Sequence, residues 1–200
     1  MLEPRRDTAW GPMEVLFEAA RDAAAALQAA GFEVELHQPN LPVYAPEGES
    51  KRLAKKHKEE DPVHEWRGDP YLALKDRSRL LELCRFLRDE LGYEVLMDAT
   101  AVDFDAEDEH LWGVYQFLSV GRKRRLSLKT FIPKADCRVD SVTAVYPAAD
   151  WHEREASEMF GVEYLGHPDP RHILLPDDWV GHPLRKDYQY PDEYHGISCK

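Results

Sequence analysis

Residues 151–188 read W-H-E-R-E-A-S-E-M-F-G-V-E-Y-L-G-H-P-D-P-R-H-I-L-L-P-D-D-W-V-G-H-P-L-R-K-D-Y. This stretch begins as a helix and ends as an arm. Pro147, just ahead of it, suits a first helical position, where its missing N–H would have had no partner. Asp150, Glu153 and Glu155 put acid in the early turns, where it complements the helix dipole. Trp151, Glu155 and Met159 fall on one face, with Ala156 and Phe160 beside them, so Met159 and Phe160 form the apolar end. Gly161 stands where a left-handed C-terminal cap is wanted. After an extended piece (Val162 to Leu165) come two Gly-His-Pro triplets, at 166–168 and 181–183. Prolines at 168, 170, 176 and 183 hold the backbone in extended or turn conformations and rule out a regular ladder. Yet the segment carries Ile173, Leu174, Leu175, Trp179 and Leu184, more apolar surface than a disordered tail. It reads as an ordered arm that packs against its own domain or a partner. Taken singly, its charges (Asp169, Arg171, Asp177, Asp178, Arg185, Lys186 and Asp187) are those of a solvated surface.

Composition bounds the rest. With 200 residues, 43% hydrophobic and 32% charged, the chain is long enough for one sizeable domain plus arms and reads as globular. Its longest run free of Asp, Glu, Lys and Arg is His110 to Gly121, shorter than the roughly 20 apolar residues of a membrane span. The N-terminus lacks an apolar signal-peptide core. A net charge of −12 argues against nucleic acid and against simple electrostatic attachment to anionic lipid. Three scattered cysteines (Cys84, Cys137, Cys199) form neither a disulfide framework nor a zinc pattern. They also fall short of the four thiolates that hold an iron–sulfur cluster. A reducing cytoplasm is the natural compartment.

Outward from the signature stretch, the chain divides into four parts. Residues 1–36 are an N-terminal helix and strand. Met13, Leu16, Ala20, Ala23, Leu27 and Ala30 recur at helical spacing, Gly31 stops them, and Phe32, Val34 and Leu36 alternate as a strand. Residues 37–62, rich in proline and charge, are a linker or insertion. Residues 63–165 are the core domain: a strand over 63–75 broken near Gly68, a helix capped by Asp76 or Ser78 with Leu80, Cys84, Leu87 and Leu91 as its stripe, then strands over 93–104, 110–120 and 126–132. The short junctions between these three strands favour antiparallel hairpins. Arg122 to Arg125 read as a charged hairpin tip in preference to an anion site, and 141–146 as one helical turn. Residues 166–200 are the C-terminal docking arm. The fold class is α+β, a mostly antiparallel sheet with packed helices and an extended proline-rich C-terminal arm.

Recognisable catalytic motifs are missing. The sequence holds no G-x-G-x-x-G, no phosphate loop, no nucleophile elbow and no C-x-x-C. His152-Glu153 begins like a zincin helix, but Ala156 stands where the second histidine belongs. The remaining enzymatic reading is a metal-dependent hydrolase whose site draws on His167, His172 and His182 with Asp169, Asp177 or Asp178. Against it, His167 and His172 have no helical register to aim them together.

E-R-E-A-S-E-M-F, six residues, His167, three residues, Arg171, one residue and Ile173-Leu174 resemble the signature of the C subunit of NADH–quinone oxidoreductase, the thirty-kilodalton subunit of respiratory complex I. D-D-W-x-G-H-P-L-R-K-D-Y at 177–188 continues the same resemblance, which extends more loosely back to about residue 63. On the helix the signature takes in Glu153, Arg154, Glu155, Glu158, Phe160 and Gly161. On the arm it takes in His167, Asp169 and Arg171, then Asp178, Trp179, Gly181, His182, Pro183, Arg185, Lys186, Asp187 and Tyr188. The resemblance implies a subunit with no redox centre of its own in the peripheral arm of a proton-translocating complex. It would contact the D subunit chiefly, with B and I nearby, on the cytoplasmic face of the inner membrane. Flavin, iron–sulfur clusters and quinone would belong to the rest of the complex. The equivalent subunit of a membrane-bound hydrogenase or another quinone-linked dehydrogenase stays open. Two structural expectations follow. Arg154 should be buried and paired with Glu158, one turn away. The arm should turn Ile173 to Leu175 inward and Asp178 to Tyr188 outward, with Trp179, Tyr188 and its Arg and Lys side chains as interface anchors.

Overall fold

The structure is a computed structural model that describes residues 13–37, 70–106 and 108–198, with the side chains of the first helix described from Leu16. In chain order it contains α1 (Met13–Ala29), β1 (Val34–His37), β2 (Tyr71–Leu74), α2 (Leu80–Asp89), β3 (Val95–Val102), β4 (His110–Ser119), β5 (Arg124–Pro133), β6 (Arg138–Asp140), α3 (Ala149–Phe160), β7 (Glu163–Leu165), β8 (Glu193–Tyr194) and β9 (Ile197–Ser198). The architecture is α+β. Five strands form one sheet in the order β1-β2-β5-β4-β3. The hairpins β3–β4 and β4–β5 are antiparallel, as their short junctions require, and β1–β2 is antiparallel too. The central β2–β5 pair is parallel.

Alternation along each strand sends one set of side chains to the helices and the other to the opposite face. Leu72, Leu74, Leu111, Tyr115, Phe117, Leu126, Leu128 and Ile132 meet the helices in one core cluster. α1 contributes Ala20, Ala23, Ala24 and Leu27, and its small residues let the helix lie close to the sheet. α2 contributes Leu80, Leu83, Cys84 and Leu87. Each wholly buried leucine stabilises the domain by roughly 1.5–3 kcal/mol. On the opposite face Tyr71, Ala73 and Trp112 are packed by Phe104 and Phe131, and the Lys129 ammonium lies 4.0 and 4.4 Å from the Tyr71 and Trp112 ring centres. Burial pushes the Lys129 amine down to about 8.

Several expectations shift in detail. Within the strand expected over 63–75 the ladder covers Tyr71–Leu74, and 63–69 lie outside the described residues, as do 1–12 and the 38–62 portion of the linker. Asp76 caps a 3-10 turn (Arg77–Arg79) that feeds α2, accepting the Ser78 N–H at 3.0 Å. Leu91 is half-buried, unlike the rest of its stripe. β5 begins two residues early because Arg124 and Arg125 pair with Ser119 and Leu118 across the hairpin. The basic tip is an ordinary charged turn, and Arg124 reaches Asp22 on α1 at 2.7 Å. Residues 142–146 form a turn closed by two N–H bonds to the Val142 carbonyl and do not run on as a helix. α3 starts at Ala149, so Pro147 lies in the turn before it. β6 and β7 pair as a small parallel ladder that flanks α3 and leads into the arm.

Candidate functional site

Three charged residues of α3 are buried: Glu153, Arg154 and Glu158. Such burial costs free energy unless each group is hydrogen-bonded, and the backbone of neighbouring segments supplies the partners. Glu153 accepts the Ser141 hydroxyl at 2.6 Å and the Val142 N–H at 2.7 Å, which ties the 141–146 turn to the helix. Burial still pushes its carboxyl up to about 7, against the pull of those two bonds. Arg154 donates to the carbonyls of Arg171 (2.9 Å) and His172 (3.4 Å). Its guanidinium also faces Asp169 at 3.8 Å and Asp150 at 4.0 Å, and lies 5.0 Å from the Trp151 ring centre. Glu158 accepts the N–H groups of Ile173, Leu174 and Leu175 at 2.9–3.2 Å. One helix thus holds consecutive carbonyls of the arm with a cation and the next three N–H groups with an anion. A proline-flanked, irregular segment has five of its backbone polar groups over 171–175 satisfied in this way.

The second half of the arm closes the C-terminus of α3. A helix leaves its last four carbonyls without internal partners. Here the Ser157 carbonyl takes the Gly161 N–H at 2.9 Å, and the Glu158 carbonyl meets His182 Nδ1 at 2.9 Å. The Met159 carbonyl takes the Leu184 N–H at 3.1 Å, and the Phe160 carbonyl takes Arg185 Nε at 2.6 Å. Gly161 is left-handed (φ 73°) and lies against the His182 ring, which a Cβ would approach to 2.5 Å. The second Gly-His-Pro triplet is therefore a remote helix cap, with imidazole and guanidinium at the negative end of the dipole. Beyond it, the Lys186 N–H bonds buried Asp103 at 2.9 Å, whose other oxygen lies 2.9 Å from Lys134. At the first triplet His167 Nδ1 accepts the Asp169 N–H at 3.0 Å, so the proton of the neutral ring sits on Nε2 and is donated to the Asp150 carbonyl at 3.1 Å. Arg171 chelates Asp169 with two 2.7 Å bonds and holds that carboxyl down at about 2.

The family model described as "Respiratory-chain NADH dehydrogenase, 30 Kd subunit" matches residues 74–194. The chain belongs to this family. The match begins at the last residue of β2 and takes in α2, β3, β4, β5, α3 and the arm as far as Tyr194, leaving out α1 and β1. The NADH-quinone oxidoreductase C subunit of Citrifermentans bemidjiense is 46% identical over 130 residues, 64% of this chain and 80% of that protein. The C subunit of the same enzyme from Geobacter sulfurreducens is 45% identical over 133 residues, 65% of this chain and 82% of that protein. A solved trypsin-resistant fragment of Nqo5 shares 25% identity with a TM-score of 0.47, covering 60% of this chain and 98% of that one.

Against the sequence expectations for this thirty-kilodalton family, burial of Arg154 holds but its partner differs. Arg154 and Glu158 serve opposite poles of the same arm backbone, as donor to carbonyls and acceptor from amides. Glu153 is wholly buried and orders a turn, whereas Glu155 is exposed. The inward and outward halves of the arm also differ from expectation. Leu175 packs on the core and Ile173 is half-buried, while Leu174 is 62% exposed. His182, Arg185 and the Lys186 amide turn in. Trp179 and Tyr188 are half-buried: Trp179 lies on Tyr194, and Tyr188 lies on Gly181 and bonds the Val180 carbonyl at 3.2 Å. Asp178 binds the Tyr194 hydroxyl and His195 Nε2, both at 2.7 Å, and Pro183 offers its carbonyl to Tyr190 at 3.5 Å. Asp187 is exposed. His167, His172 and His182 are engaged separately by backbone groups, and among the described residues no group of three or more His, Cys, Asp and Glu could hold a metal ion. Sequence reasoning passed over Ser141, Asp103, Tyr194 and His195. Asp103, at the end of β3, has no motif to mark it, because its partner is a backbone amide 83 residues away.

Proposed function

We propose that this chain is a structural subunit, without a redox centre of its own, in the peripheral arm of a proton-translocating NADH–quinone oxidoreductase. It binds the D-type subunit through residues 166–188, with the B- and I-type subunits nearby. It reaches the cytoplasmic face of the cell membrane through these partners. Flavin, iron–sulfur clusters and quinone are held elsewhere in the complex. The observation that carries this reading is the seating of the arm. Two of the three buried charges of the family signature, Arg154 and Glu158, are directed at arm backbone, and the arm in turn caps α3. Chemistry that fixes the shape of a protruding segment is chemistry of assembly. Cysteine usage supports the same view. Cys84 is wholly buried in the apolar core, where its thiol is pushed far up, and an iron–sulfur cluster needs four thiolates. Among the described residues no helix is long and apolar enough to cross a membrane, in keeping with attachment through partners.

Affinity recovery of the full-length tagged chain after gentle solubilisation tests this. The D-type subunit should co-purify, and the chain purified by itself should have neither flavin nor iron–sulfur absorbance in stoichiometric amount. Such a spectrum, or unchanged membrane recovery in cells that lack the D-type subunit, would overturn the reading.

A further inference from the structure

The largest signature side chains of the arm, Trp179, His182, Arg185 and Tyr188, are half-buried and engaged within the chain, so the apolar surface the arm offers to a partner is made of other side chains. Of the ten large apolar side chains that are exposed among the described residues, five lie on the arm: Leu174, Val180, Leu184, Tyr190 and Ile197. Val180 is 84% exposed and Ile197 69%, in a segment whose Trp179, Tyr188 and Tyr194 are half-buried. Apolar exposure gathered in this way marks an interaction site more often than scattered surface residues do.

The backbone that carries these side chains is held in place. Tyr188 packs on Gly181, where φ is +88° and a Cβ would come within 2.6 Å of its ring, and its hydroxyl fixes the Val180 carbonyl. Tyr190 stacks edge-on against Tyr188 at 5.0 Å and bonds the Pro183 carbonyl, next to Leu184. Trp179 lies against Tyr194 at 5.1 Å, and Tyr194 pairs with Ile197 across β8–β9. Asp178 fastens that hairpin through Tyr194 and His195. Residues 178–198 are thus one small unit that presents Val180, Leu184, Tyr190 and Ile197 without further ordering, which lowers the entropic cost of docking.

We infer that Val180, Leu184, Tyr190 and Ile197 form the docking surface for a second protein whose matching face is apolar at its centre and basic at its rim. The inference rests on the proposed role as an assembly subunit and assigns the contact residues within it. Charge selects the occupant. Asp178, Asp187, Asp192 and Glu193 are exposed in the same unit and outnumber its exposed Lys186, and the chain carries −12 overall. An anionic lipid surface is repelled by such a rim. A second copy of this chain would set the same acidic rim against itself across a two-fold axis. A basic-rimmed protein face meets it with opposite charge, which favours encounter and register.

The full-length chain carrying Val180→Asp together with Leu184→Asp tests this. Both side chains are exposed, so near-ultraviolet circular dichroism should match wild type. Recovery of the D-type subunit should fall at least about tenfold, as expected when apolar contacts at an interface centre are replaced by charge. Wild type recovering the D-type subunit while the double variant recovers it equally well overturns the inference and leaves the proposed function standing. Wild type recovering none overturns both. Photo-cross-linkers at positions 180 and 197 in the assembled complex give an independent reading that does not depend on how the double variant folds. Adducts to the D-type subunit are expected. Adducts to lipid, or to another copy of this chain, overturn the inference.

Discussion

In the sheet domain the largest wholly buried side chains include Tyr115, Phe117, Leu27, Leu72 and Leu128, and order comes from apolar area removed from water. In the arm, Leu175 supplies contact with that core, and order comes from polar groups: Glu158 on three amides, Arg154 on two carbonyls, and His182 and Arg185 on the end of α3. The two regions therefore respond differently to change. Core burial is shared among many side chains and has little direction, so neighbours relax around a loss. A buried charge that satisfies several backbone groups has no neighbour able to replace it. A domain held by packing and an appendage held by directed bonds can consequently loosen at different points.

The largest effect should come from the core. Phe117→Ala should cost about 3–5 kcal/mol through lost transfer energy and a residual cavity. Because the core underlies everything else, equilibrium denaturation should stay a single transition at lower denaturant. A separate early transition would break the distinction between the two regions. Next, Glu158→Ala removes the acceptor of the 173–175 amides and should cost about 3 kcal/mol. Here the arm should loosen first, seen as proteolytic cleavage within 166–176 while far-ultraviolet circular dichroism of the domain persists. Arg154→Ala should cost about 2–3 kcal/mol for the same reason. Arg154→Lys should recover less than half of that, since an ammonium lacks the planar fork that reaches two carbonyls. Full recovery by lysine in thermal melts would mean that charge alone holds the arm.

The smallest effect is a pH dependence from Glu153. Its folded-state value of about 7 lies above the ordinary carboxylate value of 4.5, so the folded chain keeps a proton that the unfolded chain has released. Stability should then be highest below about pH 4.5 for this group, fall as pH rises to about 7, and level off above it. Across pH 5 to 8 the change should be on the order of 2–3 kcal/mol. Glu153→Gln should flatten this part of the profile, measured as denaturant midpoints between pH 5 and 8. A wild-type midpoint that rises with pH across that range, with no contrary slope removed by the glutamine variant, would sink the assignment. Asp169 slopes the other way. Arg171 holds it near 2, so its contribution is present at neutral pH and disappears as pH falls through that value.

What could be read in advance was whatever depends on neighbours in sequence. Helical spacing marked α1 and α2, short junctions marked the β3–β4–β5 hairpins, and Gly161 marked the end of α3. The prolines and apolar residues of the arm marked it as ordered but unladdered. The parallel β2–β5 pair was not legible, because α2, β3 and β4 lie between its strands and a four-residue strand buried throughout has no alternating face to reveal its register.

By itself, the sequence determined the α+β class, the family and the charged positions that matter. The tertiary structure decided what those charges touch. Glu153, Arg154 and Glu158 bond to backbone N–H and C=O groups, or to a lone serine, on segments 11 to 18 residues away. Every residue type carries nearly the same backbone, so no pattern of letters identifies such a partner. Which amides and carbonyls stand unsatisfied, and within reach of a buried charge, is fixed when the arm crosses the end of α3.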